Sequence, residues 1–74
     1  MTDDKFAARL GAALRSLRSS AGLSQEGFAD SISMHRAYYS SIERGEKNIT
    51  IGTLARLADG LKVKVSEVLE LAGL

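Results

Sequence analysis

The chain has 74 residues, of which 45% are hydrophobic and 26% are charged, and its formal net charge is +1. Because a second hydrophobic core would have too few residues to bury, this length predicts a single domain over residues 1–74. The sequence has no cysteine and one histidine, which excludes disulfides and leaves no ligand set typical of a metal site.

No apolar stretch of the sequence approaches the ~20 residues of a membrane span, and the chain opens on acidic residues instead of a basic targeting region. We therefore expect a soluble, cytoplasmic protein that does not contact a membrane. A domain of this size buries only about 60% of the surface that its unfolded chain exposes, so marginal stability is expected. Association with a second copy is the remaining way to bury more surface.

Hydrophobic spacing predicts an amphipathic first helix over residues 4–20. The apolar residues that recur every three or four positions along this segment are Phe6, Leu10, Leu14 and Leu17. Such spacing places them on one face of a helix. Thr2 or Asp3 is placed to cap the start of the helix, and Gly22 follows its end.

Two short helices are predicted next, over residues 25–31 and 36–44. Ser24 is placed to cap the first of them, and Glu26 in its first turn complements the helix dipole. Gly45 is placed to end the second, because glycine readily adopts the left-handed backbone at which helices commonly terminate.

Two further helices are predicted in the C-terminal part of the chain. Thr50 is placed to cap the fourth helix, and Gly60 is expected to end it. Residues 62–65 are interpreted as an extended connector, because so short a β-branched run forms no sheet by itself. Ser66 is placed to cap a fifth helix over residues 67–72, so the sequence predicts an all-α domain of five helices.

The periodic apolar positions also predict the hydrophobic core. Its expected members are Phe6, Leu10, Leu14, Leu17, Leu23, Phe28, Ile32, Met34, Tyr39, Ile42, Leu54, Leu57 and Leu61. The single histidine, His35, has no serine or acid arranged with it by a motif, so an enzyme is not predicted.

The two short helices have the spacing of a helix-turn-helix, whose second helix enters the major groove of DNA while the first crosses the backbone. Spacing alone is a weak signal, because any small helical bundle contains short helix pairs. The residue pattern is more specific, and its segments are GLSQE at 22–26, FA at 28–29, RAYYSSIERG at 36–45, NITI at 48–51 and LxxLA at 54–58. Over about residues 10–70 the pattern resembles the lambda-repressor-like (Cro/CI, XRE type) helix-turn-helix family.

The resemblance implies a compact five-helix domain that binds double-stranded DNA and uses no cofactor or small-molecule ligand. Because no effector domain is visible, the chain is similar to stand-alone regulators, in particular the small controller proteins of restriction–modification systems and compact phage repressors. The chain departs from the family at Ser33, where the turn usually holds glycine, and at His35, where serine, threonine or aspartate usually precedes the recognition helix. Ser33 must therefore adopt the backbone conformation that the turn requires.

The helix over 36–44 is the expected recognition helix, and the positions that the core leaves open are expected to meet base edges. These positions are His35, Arg36, Ala37, Tyr38, Ser40 and Ser41. Arg36 is the best candidate for a bidentate contact with guanine, because its planar guanidinium presents two parallel donors. His35 either caps the helix or touches DNA, and Tyr38 lies either at the rim of the core or against a phosphate or base.

Four further side chains are expected to hold the DNA backbone without reading its sequence. They are Gln25, Arg44, Lys47 and Asn48. The family resemblance implies the phosphate contact of Gln25, whereas the other three cluster where the recognition helix ends. In many family members the positions of Arg18 and Glu43 pair beneath the surface, so we expect these two residues to join the first helix to the third.

The C-terminal region is the expected dimer interface, because it holds more apolar surface than one face of so short a helix can bury inward. Its expected members are Val65, Val68, Leu71 and Leu74. Alternatively, Val68 and Leu69 close the core of the monomer while Leu71 and Leu74 remain free. A two-fold axis in this region would set the two recognition helices about 34 Å apart, which requires a palindromic operator.

These features predict a sequence-specific transcriptional regulator that binds operator DNA as a homodimer. An antitoxin, or another protein-interaction module with secondary DNA binding, is the alternative from a different class, and a purely structural helical dimer is a more distant one. A toxin gene beside this one would favour the antitoxin, whereas a methyltransferase or endonuclease gene would favour a controller protein.

Overall fold

The computed structural model describes residues 4–74, which form five α-helices. In chain order these are α1 (Asp4–Ser20), α2 (Gln25–Ser31), α3 (Arg36–Glu43), α4 (Ile51–Leu61) and α5 (Val65–Leu71). The described residues contain no strand, so the predicted all-α class is confirmed. The caps expected at Thr2 or Asp3 lie outside the described residues.

Local capping determines where α2 and α4 begin, as the sequence predicts. The Ser24 hydroxyl accepts a hydrogen bond from the amide of Gly27 at 2.9 Å, and the Thr50 hydroxyl accepts one from the amide of Thr53 at 3.1 Å. Each cap satisfies an amide that has no partner within its own helix. Just beyond α3, Gly45 adopts the expected left-handed conformation, with φ of 75°.

The prediction that Gly60 ends the fourth helix is wrong, because α4 continues to Leu61 and is followed by Lys62 in the left-handed conformation. Gly60 is needed for packing. A Cβ at this position would lie 2.4 Å from Cγ2 of Ile32 and 3.1 Å from the ring of Phe28. The missing side chain therefore lets α4 approach the end of α2.

The start of α5 also differs from the prediction. The helix begins at Val65, so the connector is shorter than the predicted 62–65. Ser66 does not cap the helix; instead, the side chain of Glu67 accepts a hydrogen bond from the amide of Lys64 at 2.9 Å. Val65 is therefore the first residue of the helix, and it is partly packed against the core.

One hydrophobic cluster joins all five helices. Its largest fully buried side chains are Leu14, Phe28, Tyr39, Ile42, Leu57 and Val68. The rings of Phe28 and Tyr39 meet edge to face with their centroids 5.2 Å apart, so α2 and α3 share an aromatic contact. Leu17 and Ile32 are partly buried against the cluster.

Two residues that the sequence assigns to the core, Phe6 and Leu23, are exposed instead. The buried stripe of α1 passes through Ala7 and Leu10, which leaves Phe6 at its edge. Leu23 lies in the turn between α1 and α2, where helical periodicity no longer determines which way a side chain points.

The backbones of α1 and α3 approach each other closely at the C-terminal end of α3. A Cβ on Gly11 would lie 2.4 Å from the carbonyl oxygen of Ile42 and 2.5 Å from that of Glu43. A Cβ on Gly45 would lie 2.8 Å from Cα of Ala8. Because the obstructing atoms belong to the backbone, a side-chain rotation cannot relieve either contact.

Gly11→Ala is therefore expected to destabilise the protein by about 1–3 kcal/mol, the typical cost of overpacking, although alanine is normally favoured over glycine in a helix. Gly52→Ala is the matched control, because Gly52 lies in the first turn of α4 and a Cβ there meets nothing closer than 3.8 Å. The control should be neutral or stabilising by up to about 1 kcal/mol. Urea unfolding measures both variants, and equal stability would contradict the close contact of α1 with α3.

Candidate nucleic-acid interface

α2 and α3 are joined by a tight turn over residues 32–35. Ser33 lies in this turn with φ of 55°, so it adopts the left-handed conformation that the sequence requires of it. Met34 is buried, whereas His35 is exposed at the start of α3. The side chain of His35 makes no cap hydrogen bond, so the structure does not support the first of its two predicted roles.

The outward side of α3 forms one continuous surface beside a shallow depression of about 460 Å³. We call this side the groove-facing surface, after the DNA groove that the sequence predicts it to face, and its residues are His35, Arg36, Ala37, Ser40 and Arg44. The helical positions among them share one side because a helix repeats every ~3.6 residues. Tyr38 lies beside the groove-facing surface and is 39% exposed.

Ser41 does not belong to the groove-facing surface, and the prediction that it contacts a base edge is wrong. The residue is buried, and its hydroxyl donates to the carbonyl oxygen of Tyr38 at 2.6 Å. Ser41 stands next to Ile42 in the part of α3 that packs against the core, which hides its hydroxyl from solvent.

Arg44 is paired within the protein. Its Nε and Nη2 donate to the carboxylate of Glu46 at 3.0 and 3.1 Å, and its Nη1 donates to the hydroxyl of Ser40 at 2.6 Å. The hydrogen bond between the two charged groups raises the pKa of Arg44 and lowers the pKa of Glu46. Both side chains are exposed, so the pair is weak and the guanidinium is accessible to a phosphate. Lys47 and Asn48 are exposed in the loop that follows.

A buried carboxylate lies on the inward side of α3. Glu43 accepts a bidentate hydrogen bond from Arg18, with Nε 2.6 Å from Oε2 and Nη2 3.2 Å from Oε1. Glu43 also accepts from the side-chain amide of Gln25 at 2.8 Å and from the hydroxyl of Tyr39. The ion pair expected between Arg18 and Glu43 is therefore present. We call Arg18, Gln25, Tyr39 and Glu43 the Glu43 network.

Hydrogen bonds set the charges in the Glu43 network. Burial alone would raise the pKa of Glu43, but its hydrogen bonds together outweigh burial and hold the pKa below its ordinary value. Burial raises the pKa of the Tyr39 hydroxyl, and the hydrogen bond to Glu43 raises it further. The hydrogen bond to Glu43 also raises the pKa of Arg18. Glu43 is therefore ionised at neutral pH, and Tyr39 remains a donor.

Gln25 links the Glu43 network to the protein surface. The residue is half-buried at the first position of α2. One hydrogen of its Nε2 is directed to Glu43, and the second is left for another acceptor, since an amide nitrogen carries two. The geometry thus allows Gln25 to hold a phosphate oxygen without leaving the network.

Residues 9–71 of the chain match a family profile described as a helix-turn-helix domain. The chain belongs to the helix-turn-helix domain family. The family resemblance that the sequence shows is thereby confirmed, and α2 and α3 are the paired helices that give the family its name.

Known proteins agree with this assignment in sequence and in structure. Control protein C.MunI of Mycoplasma sp is 43% identical over 69 residues, which span 92% of this chain and 90% of that protein. The clp gene regulator ClgR of Corynebacterium glutamicum superimposes with a TM-score of 0.89 at 34% identity, over 92% of this chain and 87% of the regulator. The restriction-modification controller protein C.Esp1396I, solved as a tetramer in complex with its natural 35 base-pair operator, gives a TM-score of 0.82 at 28% identity, over 90% of this chain and 88% of its own.

The predicted dimer residues of this helix-turn-helix domain divide between its core and its surface. Val68 is fully buried, so its assignment to a dimer interface is wrong. Val65 is partly buried against the same core. Leu71 and Leu74 remain 53% and 45% exposed.

Two further kinds of site are absent from the part of the chain that the structure describes. No group of three or more histidine, cysteine, aspartate or glutamate side chains in residues 4–74 is arranged to hold a metal ion. Among the same residues, no helix is long and apolar enough to cross a membrane.

Sequence reasoning missed three features of the domain. Arg56 donates to the backbone carbonyl of Ile32, which lies 24 residues away, so no local pattern connects them. Arg44 pairs with Glu46, which lies two residues later in an irregular loop. Their opposite charges at this short spacing in the sequence were the only signal for the pair. Ile51 is 72% exposed at the start of α4, although it lies three residues before Leu54 and seven before Ala58 on the apolar side of that helix, so the sequence carried no signal for its exposure.

Arg18→Ala is expected to lower the free energy of unfolding by about 3–5 kcal/mol, because it leaves the buried carboxylate of Glu43 without its cationic partner. Arg15→Ala is the matched control: Arg15 is exposed on the same helix, and its loss should cost less than about 0.5 kcal/mol. Urea unfolding at neutral pH measures both proteins. An Arg18→Ala protein as stable as the control would contradict a structural role for the ion pair.

The same comparison is expected to depend on pH. Because the pKa of Glu43 is lowered in the folded wild type, its stabilisation is fully present above the unfolded value of about 4.3 and is lost as the pH falls through the folded value. The stability difference between wild type and Arg18→Ala should therefore shrink as the pH is lowered below about 4. A difference that stays constant there would mean that the charge of Glu43 is not its cause.

Proposed function

We propose that this protein is a transcriptional regulator that binds a palindromic DNA operator as a homodimer, in the manner of a restriction–modification controller. The groove-facing surface carries the proposal, because it projects an arginine and small side chains from the helix that enters the major groove. Identity of 43% to a control protein, and the fold shared with a controller protein solved on its operator, support it. We propose neither an enzymatic activity nor a cofactor, and we expect the protein in the cytoplasm.

Arg36 is the side chain that we propose to read sequence. It is exposed at the first position of α3, and its guanidinium matches the O6 and N7 acceptors of guanine. Ala37 allows close approach to the base edges and offers a methyl group to thymine. The Ser40 hydroxyl accepts from Arg44, which leaves its own hydrogen to donate to a base acceptor. His35 and Tyr38 flank these contacts.

A second set of side chains is proposed to hold phosphates and so to place α3 in register with the bases. Its members are Gln25, Arg44, Lys47 and Asn48. To bind a phosphate, Arg44 must release the carboxylate of Glu46. The free energy gained from the phosphate is therefore partly offset by the loss of this ion pair.

Binding to the DNA upstream of the protein's own gene tests the proposed function. Footprinting should show a protected palindrome, and titration by fluorescence anisotropy should give an affinity at least about 10³-fold tighter than for random duplex. Equal affinity for the two DNAs would reject sequence-specific regulation.

Arg36→Ala is expected to weaken operator binding by about 1–3 kcal/mol and to relax the preference at one base pair. Lys47→Ala is the matched control for a phosphate contact, since it should weaken operator and random DNA alike and reduce the slope of log K against log salt by about one unit. Anisotropy titrations on both DNAs at several salt concentrations separate the two effects. If Arg36→Ala weakens both DNAs by the same factor, Arg36 does not read sequence.

We propose that Leu71 and Leu74 form part of the dimer interface. Leu71 lies between two shallow depressions of about 290 and 320 Å³ that are lined by α1 and α5. An exposed leucine beside a hollow suits a self-complementary contact, in which each copy fills the hollow of the other. A dimer doubles the phosphate contacts, which compensates for a net charge of only +1. The tetramer of C.Esp1396I on its operator supports assembly on DNA.

Leu71→Glu is expected to convert the dimer into a monomer, because a charge would have to be buried in an apolar contact. Leu23→Glu, at an exposed leucine in the turn after α1, is the control and should sediment as the wild type does. Sedimentation velocity at micromolar concentration compares the three proteins. A monomeric wild type, or a dimeric Leu71→Glu protein, removes this interface.

A further inference from the structure

α4 braces the turn that joins α2 to α3. Arg56 on α4 donates from Nε to the carbonyl oxygen of Ile32 at 3.2 Å, and from Nη2 to the carbonyl oxygens of Ile32 and Ser33, the latter at 2.8 Å. Among the backbone hydrogen bonds of residues 4–74, neither carbonyl has a donor. Arg56 therefore supplies the donors for both.

Arg56 and Gly60 contact the turn from the same side of α4, because residues four apart lie one above the other on a helix. Where Arg56 binds the backbone of the turn, Gly60 receives the side chain of Ile32, whose Cγ2 would lie 2.4 Å from a Cβ there. α4 thus holds both the backbone and a side chain of the turn.

The turn needs this support because of the residue at its centre. Ser33 has φ of 55°, a left-handed conformation that strains any residue with a side chain because its Cβ crowds a backbone carbonyl. The amides of Ile32 and Met34 bond back to Ala29 at 3.2 and 2.9 Å. Those bonds close the end of α2 but make no link to α3 or α4, so it is the hydrogen bonds from Arg56 that tie the backbone of the strained peptide to another helix.

We infer that Arg56 is a positioning residue for DNA binding, which holds the backbone of the turn and so adds to the contacts that fix α3 relative to α2. The inference rests on the proposed function, in which α2 crosses the DNA backbone while α3 occupies the groove. Without the guanidinium, the turn would populate other conformations. Only the fraction of molecules with both helices in place would bind, and the apparent affinity would fall in proportion to that fraction.

Arg56→Gln tests this inference, because it removes the positive charge and the planar guanidinium group from an exposed position. We expect the operator dissociation constant to rise about tenfold, the size typical of lost hydrogen bonds from a charged donor, with an unchanged salt slope. Hydrogen exchange of the Met34 amide should accelerate about tenfold, while that of Leu14 in the core of α1 should not change. Arg15→Gln, which removes the same charge from an exposed position of α1, should alter none of these values.

Ser33→Gly, added to the Arg56→Gln protein, separates positioning from a general loss of stability. Glycine adopts left-handed φ values without strain, so the turn no longer needs the guanidinium to keep its conformation. The double variant should therefore recover most of the lost operator affinity, although it restores neither the charge nor the hydrogen bonds of Arg56.

Three results would overturn the inference. A salt slope reduced by about one unit, with equal weakening on random DNA, would make Arg56 a phosphate contact. Unchanged operator affinity of the folded Arg56→Gln protein would leave the arginine no role in DNA binding. A wild type that binds no DNA would reject the proposed function and this inference with it. The first two results require a wild type that binds DNA, so failure of the inference alone can be told apart from failure of the proposed function.

Discussion

The arrangement of the helices depends on the burial of one negative charge. The side chain of Glu43 is only 2% exposed. Removing a carboxylate from water costs several kcal/mol unless it is paired and hydrogen-bonded. Arg18 from α1, Gln25 from α2 and Tyr39 from α3 together meet this requirement. Because each donor comes from a different helix, satisfying one carboxylate fixes the positions of three helices relative to one another.

α3 contributes to the core on one side and carries the proposed DNA-contact surface on the other. Its inward side carries Tyr39, Ile42 and Glu43, whereas its outward side carries Arg36 and Ser40. The helical repeat separates the two sets, so the outward side chains can differ without any change in the core. A change on the inward side has the opposite effect, because it moves all of the outward side chains together.

Two exposed arginines illustrate how the domain divides fixed contacts from exchangeable ones. Arg44 bonds to the side chains of Ser40 and Glu46, and a phosphate can replace the carboxylate at little cost because the pair is solvated. Arg56 bonds instead to backbone carbonyls of the turn. If Arg56 turned to another partner, the hydrogen bonds that tie the turn to α4 would be lost. Arg44 therefore suits a surface that rearranges on binding, and Arg56 suits a scaffold that does not.

The sequence by itself determined the helix count, most helix bounds, the family and the outward face of α3. These features are local: Ser24 caps α2 from three residues away, and the left-handed conformation of Ser33 follows from the turn that it must make. Only the tertiary structure decided what distant segments do to one another. Gly60 resembles a helix end in sequence but makes room for α2, Val68 is buried because α5 packs against the shared core, and Arg56 finds its acceptor 24 residues away. A cap or a helical face is set within one turn of chain, whereas burial and long-range hydrogen bonds depend on which surfaces meet when the helices pack.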